Sequence, residues 1–169
     1  MRRIQLAFYL SLALAIGPVT WFYIQREAPP LALAGIILAA LWVRVFQRGS
    51  SFVNSLLFFV FILWLLPALS LGAPTILDIV GLVGGLAAWD LSSFMAQWLT
   101  YLPQKHQTGA EANQLAQAHL IRLAWVAGIG LLLGSLASLI SLRLAFGVAG
   151  LLVLLTFLGI AQAVRIYRR

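Results

Sequence analysis

The chain has 169 residues, of which 63% are hydrophobic and only 9% charged, and its mean hydropathy is +1.01. Soluble domains carry about 25% charged residues, so this composition excludes a water-soluble globular fold and reads as an integral membrane protein. The net charge of +7 is accounted for by placement against the bilayer rather than by nucleic acid, and the lack of cysteine excludes disulfides, thiolate metal sites and iron–sulfur clusters.

A transmembrane helix needs about 20 apolar residues, which leaves room for six spans and almost nothing else. The first is predicted near 4–24. Its opening, MRRIQLAFYLSLALAIG, has the basic start of a signal peptide and the small-residue Ala13-Leu14-Ala15, but the apolar run continues to Ile24 and is long enough to cross. QREAPP separates it from a second span near 30–46. After QRGSS the third runs near 51–71, and after GAPT the fourth runs near 75–99. The longer YLPQKHQTGAE leads to a fifth span near 114–141, and Arg143 alone marks the break before a sixth near 143–166. Pro18 and Pro67 fall inside the first and third spans, where each removes a backbone donor. Thr108-Gly-Ala-Glu111 has the capping-box form, which starts the fifth helix near Gly109 and leaves about two polar turns before lipid. The expected fold is all-α, a single six-transmembrane-helix domain.

With six spans, Arg2, Arg3, Arg44, Arg48, Lys105, Arg122, Arg165, Arg168 and Arg169 share one side, against Arg26 and Arg143 on the other. Positive residues favour the cytoplasmic side, so both termini are expected in the cytoplasm and the protein in a plasma (inner) membrane. The lipid bilayer, with anionic lipids at the cytoplasmic face, is the default partner of these charges. Trp21 is expected at the outer interface, Trp42 and Trp98 at the inner one, and Trp64, Trp89 and Trp125 as deeper packing residues.

Between apolar helices, small residues allow close approach. The fourth span carries Gly81-x-x-x-Gly85 and the fifth Gly130-x-x-x-Gly134, so these two are expected to pair with each other, or with a second copy of the chain.

The stretch GGLAAWDLSSF places Asp90 inside the fourth span, about 22 Å along the helix from Thr75. A carboxylate there needs a partner. Asp90, Ser93 and Gln97 recur at i, i+3 and i+7 and form a polar strip expected to face the bundle interior, nearly opposite Gly81 and Gly85. Arg122 is the first expected partner of Asp90, with His119, Arg44 and Arg165 behind it.

Catalytic chemistry is not expected. Asp78 and Asp90 lie on one helix about 18 Å apart along its axis, so they cannot face each other as an aspartyl dyad. Ser135 is far in depth from both histidines, and the only lysine, Lys105, is in a loop. His106 and His119 lack a second ligand at helical spacing, so neither a metal nor another cofactor is expected. The residues point to a non-catalytic accessory, assembly or scaffold subunit of a larger membrane complex, joined to other membrane subunits or to itself as a homo-oligomer. The alternative is a small transporter, channel or membrane ligand-binding component that uses the Asp90 strip.

Overall fold

A computed structural model describes the backbone of residues 2–101 and 109–139, with side chains described for 2–98 and 114–136. It contains five helices: α1 (Arg2–Gln25), α2 (Pro29–Arg48), α3 (Ser51–Ser70), α4 (Thr75–Tyr101) and α5 (Gly109–Leu139). Each is long and apolar enough to cross a membrane, which is compatible with a multi-pass integral membrane protein. The expected sixth span at 143–166 and the Thr108 cap lie outside the described residues. Chain contacts define two compact units, Met1–Leu136 and Ala137–Arg169, and only the first is described below.

Helix ends fall where turn chemistry places them. Pro29 and Pro30 open α2, where a missing N–H costs nothing. Gly49 closes the same helix in the left-handed conformation, φ 69°, and its N–H donates to the Val45 carbonyl. Gly72 does likewise after α3, with φ 75°. After α1 the corresponding left-handed position is held by Glu27, φ 54°, and the Ala28 N–H donates back to the Tyr23 carbonyl across it. Pro18 and Pro67 sit inside α1 and α3 without ending either helix.

Helices α1 to α4 form a ring in which each packs on the next, and α4 returns to close against α1 over the most extensive helix–helix contact of the bundle. The closest approach is at Gly84. A Cβ there would stand 2.8 Å from the Ala15 backbone nitrogen and 2.9 Å from the Ser11 carbonyl oxygen, so backbone meets backbone. Gly81 faces Ala15, Val19 and Leu65, and Gly85 lies under the Phe61 ring. This corrects the expected glycine-to-glycine pairing of α4 with α5: the glycines of α4 serve α1 and α3. Gly130 and Gly134 of α5 do face α4, but they meet the β-branched side chains of Val83 and Ile79 on its other flank.

The interior of the ring is aromatic. Trp42, Phe58, Phe61, Trp64 and Tyr23 follow one another with ring centroids 5.3 to 6.4 Å apart. Such edge and tilted contacts add to the dispersion that holds helices together where the hydrophobic effect is weak. Trp42 is therefore fully buried rather than interfacial, while Trp125 is 71% exposed rather than packed. Trp42 is drawn in by Asn54, Phe58 and Phe61, whereas α5 meets α4 by a narrow stripe that includes His119, Gly130 and Gly134 and leaves Trp125 outside the ring.

Candidate functional site

Polar groups inside the described bundle gather at two places on α4, at nearly the same level but on different faces of the helix. The first is a node around Asn54, which is fully buried in the first turn of α3. Its Oδ1 accepts a hydrogen bond from Trp42 Nε1 at 2.8 Å. Its Nδ2 donates to Ser93 Oγ at 2.8 Å and to the Trp89 carbonyl at 3.0 Å. One primary amide thus uses both donors and its acceptor to join α2, α3 and α4. Trp89 Nε1 adds a longer bond to Ser55 Oγ, at 3.4 Å. Farther along the bundle, the Tyr23 hydroxyl donates to the Trp64 carbonyl at 2.7 Å and Trp64 Nε1 donates to the Leu31 carbonyl at 2.8 Å.

The second place is the flank of α4 that meets α5. Here His119 Nε2 lies 2.8 Å from Asp90 Oδ2, and Phe94 stacks on the imidazole with centroids 4.2 Å apart and planes 18° from parallel. The two atoms are within hydrogen-bond distance but not in hydrogen-bond geometry, so the pair is a close contact and not an aligned bond. The imidazole side chain is 22% exposed and the carboxylate 40%. Both residues lie inside helices that can cross a membrane.

These positions redraw the expected strip. Asp90, Ser93 and Gln97 do not share one environment: Asp90 faces α5, Ser93 turns into the ring toward Asn54, and Gln97 is exposed. A step of three residues stops about 60° short of a full turn, enough to send neighbours on a wheel to different helices. The expected first partner, Arg122, is exposed and forms no ion pair among the described residues; His119, one turn earlier on α5, is the group that reaches the carboxylate. Asp90 does lie opposite Gly81 and Gly85, because those glycines face α1 and α3. Asp78 is half-buried, and neither of its oxygens has a hydrogen-bond partner among the described residues.

Asn54 and Gly84 were missed by the sequence reading. A signal for Asn54 exists: with Phe58, Phe61 and Leu65 it makes a face at i, i+4, i+7 and i+11, and an amide on such a face needs partners. Gly84 sits in the pair Gly84-Gly85, one residue off the Gly81-x-x-x-Gly85 spacing that drew attention to its neighbour.

Among the described residues no group of three or more metal-ligating side chains comes together. The chemistry in view is of two kinds: a network of amide, indole and hydroxyl groups around Asn54, and one carboxylate–imidazole pair at Asp90 and His119. The chain matches no protein-family model, no curated protein and no solved structure.

Proposed function

We propose that the protein is a non-catalytic membrane subunit that supports the assembly of a larger membrane complex, with six spans and both termini in the cytoplasm. The observation that carries this reading is the Asn54 node. Its hydrogen-bonding groups are spent on Trp42, Ser93 and Trp89, and the surrounding rings close over it. Such a core fixes the relative positions of α2, α3 and α4, which suits a scaffold. The apolar outer face of α5, with Ile121, Trp125, Ile129 and Leu132 exposed, supplies a surface for lipid or a neighbouring subunit.

The test is purification of the native protein in a gentle detergent with mass spectrometry of everything that co-elutes. A stoichiometric set of other membrane proteins is the expected result. Elution alone or as a homo-oligomer would abandon the scaffold reading.

A second reading rests on the Asp90–His119 pair. An acid and a base 2.8 Å apart within two apolar helices are the parts of a proton or ion site, and so of a small transporter, channel or membrane ligand-binding component. Asp90→Asn separates the two readings in reconstituted vesicles. A scaffold retains its partners, whereas a relay loses proton or ion flux while the protein still folds and elutes as the parent does.

A further inference from the structure

The face that α1 and α2 turn outward carries two concavities in line. One, of about 420 Å³, is lined by Tyr9, Ala13, Gly17 and Trp21 of α1 and by Ile36 and Ala39 of α2, and is almost wholly apolar. The other, of about 480 Å³, sits at the start of α1 and is lined by Arg2, Arg3, Gln5, Leu6 and Tyr9. Tyr9 belongs to both, so one apolar trough runs along the helix face and ends beside the exposed Arg2 and Arg3, whose stems line it. Both are shallow and open along their length, the shape of a groove for a chain lying against the helices rather than of an enclosed pocket.

The dimensions suit one kind of molecule. From Leu6 to Gly17 the helix rises about 16 Å, half the thickness of a hydrocarbon core of about 30 Å. The Arg2 and Arg3 side chains are exposed and make no ion pair among the described residues, while Glu27 and Asp78 are at the opposite end of the bundle. Phe46 of α2 stacks on Phe8 with centroids 3.9 Å apart, which sets the C-terminal end of α2 beside the start of α1. A neighbouring apolar helix would fill the trough but leave these cations without a counter-charge. A phospholipid with an anionic headgroup satisfies both halves.

We infer that this face is a binding site for an anionic phospholipid of the leaflet at the N-terminal end of α1, with the phosphate at Arg2, Arg3 and Gln5 and an acyl chain along Tyr9, Ala13 and Gly17. Phosphate suits this end of the trough because guanidinium groups donate to its oxygens in pairs. Gly17 provides a clean probe, since a Cβ built on it meets nothing within 4 Å. A larger side chain there occupies the trough without pressing on the fold.

The test is native mass spectrometry of the full-length protein in detergent, titrated with phosphatidylglycerol and, separately, with phosphatidylcholine of the same chains. The parent protein retains one phosphatidylglycerol in preference to phosphatidylcholine. Arg2→Gln with Arg3→Gln weakens phosphatidylglycerol retention on the order of thirtyfold, with little effect on phosphatidylcholine. Gly17→Leu weakens retention on the order of tenfold with the arginines intact. Equal retention of the two lipids by the parent, or retention indifferent to the arginine pair, overturns the site. Loss with the arginine variant but not with Gly17→Leu overturns the trough as the seat of the chain. Gly17→Cys carrying a photoactivatable maleimide that cross-links to a second copy, or to residues 140–169 of its own chain, shows protein in the trough and overturns the lipid.

Discussion

Asn54 holds three helices through one side chain, and its removal isolates what that is worth. In Asn54→Ala the Trp42 indole N–H loses its acceptor in a fully buried position, and Ser93 and the Trp89 carbonyl lose a donor. A stranded buried donor costs about 1–3 kcal/mol, so the variant unfolds earlier by that amount in a detergent or urea titration, and Trp42 becomes accessible to a fluorescence quencher. Ser93→Ala removes one acceptor only and costs about 1 kcal/mol. At this scale the sequence is legible where a polar atom stands out from its surroundings, as Asp90 does. Its partner was less so, because His119 and Arg122 are one turn apart on α5 and a difference in depth of about 4.5 Å decides which of them arrives. Asn54 was hidden by its position three residues into the span, where an amide can also be read as the end of a helix.

Helices reveal their lengths more readily than their faces. All five described helices begin and end within about five residues of the apolar runs that announce them, because a span must cover a fixed thickness and its ends carry Pro, Gly or charge. Their facing sides are harder to read, since lipid is as apolar as a neighbouring helix and no wet face exists to contrast with the buried one. Glycine spacing says that something comes close without saying what, which is why Gly81 and Gly85 mark α1 and α3 and not α5. The structure ranks these glycines. At Gly84 any added side chain meets the backbone of α1, which cannot rotate away, whereas at Gly130 it meets the end of the Val83 side chain at 3.4 Å. Gly84→Val is expected to separate α1 from α4 and cost more than about 3 kcal/mol, and Gly130→Ala to shift stability by less than about 1 kcal/mol in either direction. Thermal unfolding of the two purified variants checks the order.

The described bundle is a ring of four with a fifth helix against its flank. That arrangement is legible in the sequence only as a helical bundle, because ring closure brings Gly84 of α4 to Ser11 and Ala15 of α1, about 70 residues earlier in the chain. It predicts unequal behaviour of two fragments. Residues 1–101, which include α4, should keep Trp42 buried and shielded from quencher. Residues 1–72, which end before it, should not, since they lack Ser93, the Trp89 carbonyl and the close contact at Gly84. The same closure bears on biosynthesis. While the chain is being made, three helices enter the bilayer before the one that covers the Ser11–Ala15 backbone of the first, and that strip must be occupied by lipid or by the insertion machinery until translation has passed Gly84. The bundle is therefore unfinished until half the chain has been made, and α4 must displace that temporary neighbour to complete it.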